Sequence, residues 1–541
     1  MGDEVVRYVR LIKRGLCGLL AAIIMTSSAE ISWAQGPRSE IEILKRELEE
    51  LRRRDEENRR RIEELQRRLE SIQAAPAPEA KPTTPKTALE KAIQELPSAP
   101  VAPAALTPPS RPDILSRQIG GTTFRLMDIS LDVLVAAGFS TENDESLQTL
   151  QGGGHDPRKR GFTLQQAELS LGGAVDPYFT GESHIVFFID PLTGETEVEL
   201  EEAFFTTLSF PYNLQVKGGF YLTEFGLINS LHPHAWDWLD QPVINTRLFG
   251  ADGMRQAGAR VRSLLPLPWY SEFYAGVQNA DGETMASFYG GEIAHAHAEE
   301  EEAHEPLGGL EPGIGGRPIV QRDVKALRDL VYTTRWVNAW DLTPEITSQL
   351  GFSGAFGPNT TGRSGYTQIY GTDLKLRWRP INHFRGYPFL TWQSEFMTRF
   401  YKAAPFTSVE SAANSEDHEH EDETTNGALE LPKRTLVDWG FYSQLLYGFR
   451  FGWAAGLRGE YATGSGASAG GRDRDPFRDN RVRISPLLSW RPTEFSRIRL
   501  QYNYDYAEHL EFDGLSSRSR DAHSVWLGFE YLLGTHPAHK F

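Results

Sequence analysis

Cysteine occurs once in the 541 residues, at Cys17, inside an N-terminal stretch that reads as a cleaved leader. The mature chain is then free of thiols, which excludes disulfides, thiolate zinc sites, C-x-x-C-H haem attachment and cysteine nucleophiles. Positive charge is also in deficit. Lys+Arg 56 against Asp+Glu 73 leaves −17; a polyanion would be repelled, so no nucleic-acid partner is expected. Beyond the leader no stretch approaches the roughly 18 consecutive apolar residues of a spanning helix, so any membrane crossing is not helical. An aromatic content of 11% excludes wholesale disorder, because disordered chains are poor in aromatics.

The leader has Arg7, Arg10, Lys13 and Arg14 before an apolar stretch at 16–25, and Ser32-Trp33-Ala34 fits a small-x-small cleavage site before Gln35. That is the pattern of a secretory signal peptide. Residues 38–73 are nearly all Glu, Arg, Leu and Ile. Ile41, Leu44, Leu48, Leu51, Asp55, Asn58, Ile62, Leu65, Leu69 and Ile72 alternate three and four apart. This a/d seam predicts a self-associating coiled coil, with Asp55 and Asn58 fixing register; a solvated single helix held by Glu–Arg pairs is the plainer reading. Ten prolines follow within 74–112, a semi-extended spacer.

From Thr122 the period changes to two. Leu374, Leu376 and Trp378 oppose Asp373, Lys375 and Arg377, and Ile498, Leu500 and Tyr502 oppose Arg497, Arg499 and Gln501. Connections alternate between short ones, such as Asp176-Pro177-Tyr178 and Arg491-Pro492-Thr493, and long ones at 226–253, 280–325, 403–434 and 463–479. Tight turns at one end and long loops at the other predict a closed transmembrane barrel, all-β and antiparallel. Closure satisfies every backbone group in lipid, as an open sheet cannot. About sixteen strands are expected, starting near Thr122, Gly161, Gly181, Val198, Asn213, Met254, Trp269, Ala326, Glu345, Tyr366, Tyr387, Thr435, Arg450, Asn480, Ser496 and Ala522. An even count puts both termini, and the coiled coil, on the periplasmic side. Trp336, Trp340, Trp378, Trp392, Trp439, Trp453 and Trp490 supply interface girdles. The organisation is a signal peptide at 1–34, a coiled coil at 38–73, a linker at 74–112 and the barrel at 113–541.

With its leader, barrel pattern and terminal Phe541, the chain resembles a Gram-negative outer-membrane porin. The segment Leu222-Thr223-Glu224-Phe225-Gly226 through His232-Pro233-His234-Ala235-Trp236-Asp237 resembles coiled-coil-led porins labelled zinc-regulated outer-membrane receptors. The resemblance implies a homotrimer with a third loop folded into each pore, embedded in outer-membrane lipid. It also implies insertion by the barrel-assembly machinery, which reads the aromatic C-terminus. A 22-stranded transporter with an N-terminal plug fits poorly, since a heptad helix and a proline-rich spacer stand in the plug's place.

With polar faces turned inward, Glu168, Glu182, Glu199 and Glu201 line one arc of the pore. Arg450, Arg458, Arg481, Arg483, Arg497 and Arg499 line another. These are neighbouring arcs, with the first and last strands between them, and where both face one eyelet their opposite charges would orient polar solutes; the plainer reading is lumen solvation with pairing across adjacent strands. Metal-like spacing occurs at His295, His297 and His304 in one outer loop, and at His418 and His420 in another, both among carboxylates. Imidazole with carboxylate suits weak capture of zinc or another divalent cation, whereas a solvated acidic loop needs no ligand. His232, His234 and Asp237 form a further candidate set in the third loop, either metal ligands or loop packing.

Gly466-Ala467-Ser468-Ala469-Gly470 matches a nucleophile elbow but lacks its strand–turn–helix setting, so no enzyme, catalytic residue or organic cofactor is expected. The leading reading is a water-filled porin for passive diffusion of small hydrophilic solutes or ions. The alternatives are divalent-metal uptake, and a tether from the outer membrane to peptidoglycan through the coiled coil.

Overall fold

The computed structural model describes residues 127–290, 317–407, 430–464, 480–507 and 520–534, apart from scattered single positions, with Ile314 and the backbone of 116–119 and 122–125. The signal peptide, coiled coil and linker lie outside the described residues. So do His295, His297, His304, His418, His420 and the serine of the 466–470 pattern.

Sixteen antiparallel strands close into one barrel. They are β1 (Asp128–Ser140), β2 (Gly161–Ala174), β3 (Phe179–Ile189), β4 (Thr196–Thr207), β5 (Leu214–Leu222), β6 (Arg255–Leu264), β7 (Tyr270–Asn279) and β8 (Leu330–Thr343). The second half is β9 (Ile346–Pro358), β10 (Tyr366–Trp378), β11 (Phe389–Ala403), β12 (Arg434–Arg450), β13 (Trp453–Ala462), β14 (Arg481–Thr493), β15 (Ser496–Ala507) and β16 (Arg520–Gly534). The ring closes where β16 pairs with β1, from Ser524↔Ser140 to Gly534↔Ser130. The count and nearly every boundary follow the period-two reading. The exception is the first strand, which begins at Asp128 rather than Thr122. Residues 122–125 pair instead with 116–119 as a separate hairpin, and the Gly120-Gly121 pair between them has the composition of a two-residue turn.

Burial is inside-out. On β15, Arg497, Arg499, Gln501, Asn503 and Asp505 are buried, while Leu500 is 46% exposed. On β16, Trp526 and Glu530 are buried while Leu527 and Phe529 face outward. Leu488, Leu500 and Leu527 sit side by side across β14–β16, part of an apolar belt that lipid can cover. Trp453 and Trp490 stack with centroids 5.4 Å apart near the short-turn end, an interface position for amphipathic rings. Leu500→Arg should therefore lower folding stability by about 2–4 kcal/mol if the belt lies near the bilayer centre. Denaturant unfolding in lipid vesicles would measure this, and a neutral result would place Leu500 outside the lipid.

The third loop, L3 (223–254, between β5 and β6), and the start of the fourth, L4 (280–329, between β7 and β8), turn into the barrel. Phe225, Ile228, Trp236, Val243, Ile244, Leu248 and Phe249 of L3 join Met285, Phe288 and Tyr289 of L4 in one buried apolar cluster. Val331, Ala355, Ile369, Met397 and Tyr442 of the wall complete it. A packed core thus fills part of the lumen. Small wall residues make room for the loop. A Cβ on Gly528 would stand 2.2 Å from Leu239 Cδ2, and one on Gly371 would stand 2.6 Å from Phe225 Cε1.

Candidate functional site: the third loop and the wall around it

L3 spans the barrel from one wall to the other. On one side the Gly226 amide donates to Ser353 Oγ at 3.1 Å and the Leu227 amide to Glu395 Oε2 at 3.2 Å. On the other, the Asp240 carboxylate is buried among donors from three strands. Arg458 of β13 binds Oδ1, Arg483 of β14 binds Oδ2 at 3.0 Å, and Gln501 and Asn503 of β15 each donate at 2.8 Å. Arg497 donates to the carbonyls of His234 at 2.7 Å and Trp236 at 2.8 Å. Arg499 donates to those of Trp236 at 3.1 Å and Trp238 at 2.9 Å. Arg483 also reaches the Leu150 carbonyl at 2.7 Å, at the end of helix α1 (Asp144–Leu150) in the first loop, L1 (141–160).

Each of these arginines also has a carboxylate neighbour: Arg458 with Glu460, Arg481 and Arg483 with Asp505, Arg497 and Arg499 with Glu530. The basic arc faces inward but is not a free surface. Its donors hold L1 and L3 and pair with carboxylates of their own and adjacent strands. Buried guanidinium groups need such partners, because an unpaired buried charge is strongly destabilising. Of the expected lining residues, Glu168, Glu199, Glu201, Arg458, Arg481, Arg483, Arg497 and Arg499 are inside, while Glu182 and Arg450 are exposed at the short-turn end.

The neighbouring stretch of wall, β2–β4, separated from β15 only by β16 and β1, is acidic and meets the histidines of L3. His232 precedes a 3-10 turn at Pro233–Ala235 that contains His234, and the two rings stack with centroids 5.5 Å apart. His232 has both ring nitrogens taken, Nδ1 by Glu201 and Nε2 by Glu202, each at 2.8 Å. His234 Nδ1 meets Glu168 Oε2 at 2.9 Å, and His184 Nδ1 meets Glu168 Oε1 at 2.9 Å. Glu168, His184 and His232 place ligand-capable atoms within 4.8 Å of one another. Asp237 is not among them. As a partner of the histidine pair it is replaced by Glu168, Glu201 and Glu202.

Sequence reasoning missed His184 and Glu202. His184 shares the inward parity of Glu182 and was legible. Glu202 was not, since strict alternation turns it outward when Glu201 points in. A β-bulge reverses that: His184 pairs with Glu202 but Ile185 with Leu200, so one extra residue lets both glutamates face the lumen.

Burial alone would drive the His232 imidazole towards its neutral form. The Glu201 and Glu168 charges and the hydrogen bonds from Glu201 and Glu202 outweigh this, holding its pKa well above the ordinary value. His234 is raised too, against burial, chiefly by Glu168. A base with a raised folded-state pKa gives stability that is full below the unfolded value, 6.5, and lost as pH climbs through the folded one. The His232 grip on L3 should therefore loosen at alkaline pH, seen as faster proteolysis or amide exchange within L3. In His232→Gln that alkaline step should vanish, and persistence of the step would exclude His232 as its source.

No family model matches the chain. An uncharacterized protein of Aquifex aeolicus (strain VF5) is 27% identical over 427 residues, covering 77% of this chain and 80% of that one. Among solved structures, the outer membrane channel DcaP of Acinetobacter baumannii aligns with a TM-score of 0.43 at 9% identity, over 75% of this chain and 97% of its own. The anion-selective porin from Comamonas acidovorans aligns at 0.40 and 8%, over 75% and 99%. OmpT, an outer membrane protein of Vibrio cholerae, aligns at 0.40 and 7%, over 75% and 97%.

Proposed function

We propose that the protein is an outer-membrane porin, a homotrimer in which small hydrophilic solutes or ions diffuse passively past L3. The observation that carries this is the course of L3 itself: it crosses a closed sixteen-strand barrel, docked on arginines along β13–β15 and leaving a carboxylate–imidazole wall along β2–β4. Nothing chemical happens to the solute. Selection comes from width, from the fixed charges of the wall, and from the low dielectric of the packed core beside it, which strengthens those charges. The path runs along Glu168, Glu199, Glu201 and Glu202, which have cationic neighbours of their own in His232, Arg255 and Lys217; the cation preference assigned to it rests on the chain's formal charge of −17.

Single-channel recording of the refolded protein in planar bilayers tests this. Stable steps with a reversal potential on the cation side across a KCl gradient are expected, and absence of conductance would overturn the reading. Divalent-metal uptake is the second reading, supported by the Glu168–His184–His232 set. In that set a metal has to displace the protons now held between imidazole and carboxylate.

A further inference from the structure

A different histidine has the opposite character. His155 of L1 is 2% exposed. Its Nδ1 lies 3.3 Å from the Gln165 carbonyl oxygen, while Nε2 is buried with no hydrogen-bond partner. The surrounding loop is held firmly. Gln165 Nε2 donates to the His155 carbonyl at 2.6 Å. The neighbouring Asp156 carboxylate accepts from the Gly153 and Gln241 amides, both at 2.9 Å. The tautomer that satisfies Nδ1 is the one with its proton towards Gln165, and it leaves a bare lone pair on Nε2. Histidines that bind metals have this arrangement, donating one ring N–H to a backbone carbonyl and offering the other nitrogen to the ion.

What surrounds the ring fits that role. Ligand-capable atoms of His155, Glu199 and Asp252 lie within 4.8 Å of one another. They come from three separate segments: L1, strand β4 and the returning end of L3. A small cavity lined in part by His155 and Asp252 also has the polar side chains of Glu201, Asn229 and Gln241 in its wall, beside apolar ones such as Leu222 and Ile228. Arg255 engages Oε1 of Glu199, which leaves the second carboxylate oxygen to serve as a single-oxygen ligand. Ligand distances of about 2.0–2.2 Å place two ligands of one ion no more than about 4.4 Å apart, so modest side-chain rotations complete the set. One imidazole nitrogen with two carboxylate oxygens suits a borderline divalent ion of the zinc class better than magnesium or calcium, which take oxygen.

We infer that His155, Glu199 and Asp252 form a divalent transition-metal site that clamps L1 to the base of L3. Its place, joining two inward-folded loops to the wall, makes it a lock on the constriction rather than a step on the solute's path. It is separate from the Glu168–His184–His232 cluster, whose imidazoles are engaged by carboxylates.

The test uses the full-length refolded chain with His295, His297, His304, His418 and His420 changed to Asn, so that the outer loops do not add sites. After chelation, zinc is titrated by calorimetry and cobalt by its visible absorption, with heat-modifiable gel mobility reporting an intact barrel. One equivalent per chain is expected, with affinity falling at least tenfold in His155→Gln and in Asp252→Asn but kept in His232→Gln. Zinc should also slow proteolysis within L1, and it should fail to do so in His155→Gln. No saturable binding, or binding lost in His232→Gln and kept in His155→Gln, would overturn the assignment. Channel conductance is scored separately, so a failed metal site leaves the porin reading standing, and the reverse holds too.

Discussion

Replacing Asp240 by alanine should produce larger, noisier single-channel steps from a barrel that still folds. The carboxylate is fully buried and accepts from Arg458, Arg483, Gln501 and Asn503 at once. All four donors lie on barrel strands, whereas Asp240 is on the loop, so its removal strikes the docking of L3 rather than strand pairing. Losing charge-assisted hydrogen bonds of this kind costs about 1.5–3 kcal/mol, and each 1.4 kcal/mol is about tenfold in an equilibrium. The docked population of L3 should therefore fall by roughly one to two orders of magnitude relative to the released one. Arg458 keeps Glu460 and Arg483 keeps Asp505, so neither guanidinium is stranded and the wall survives. Conductance recorded in planar bilayers decides the matter. Wild-type steps would mean that the carbonyl contacts of Arg497 and Arg499 hold the loop without Asp240.

The barrel was legible because its physics is local. In lipid each strand must alternate, and the turns must alternate short and long, so strand number and nearly all boundaries can be read from composition at every second position. The positions of most inward charges were legible for the same reason, Glu182 and Arg450 excepted. Their partners were not. Whether Arg483 faces water or Asp240 depends on the course of a 32-residue loop, and no period encodes that course. Prolines and aromatics in 232–239 did signal an ordered segment, and the pairing of His232 with His234 survived. Asp237 was chosen by proximity in sequence, but the chain between His234 and Asp240 turns its acidic side chains away from the histidines. The bulge at Glu201 hid Glu202, and His155 offered no motif at all, since its partners stand 44 and 97 residues further along the chain.

The wall of β2–β4 should set selectivity, and the double variant Glu201→Gln, Glu202→Gln tests it most severely. Both carboxylates face His232 at 2.8 Å and are among the groups that keep its imidazole protonated. Without them two changes follow together. The wall loses two acidic groups, and His232, still subject to burial, is left with Glu168 as the remaining nearby carboxylate, 3.6 Å from its Nδ1. Its pKa should drop towards or below the ordinary imidazole value of about 6.5. At about pH 7.5 the double variant then has a weaker acidic wall and a neutral His232, so the reversal potential across a KCl gradient should move towards zero from the cation side. At about pH 5.5 the imidazole takes its proton again, and the potential should cross to the anion side. The wild type should show no such crossing, because its His232 stays charged across the same interval. A pH-independent potential in the double variant would mean that permeating ions do not pass His232, and the conducting path would then have to be sought on the other side of L3.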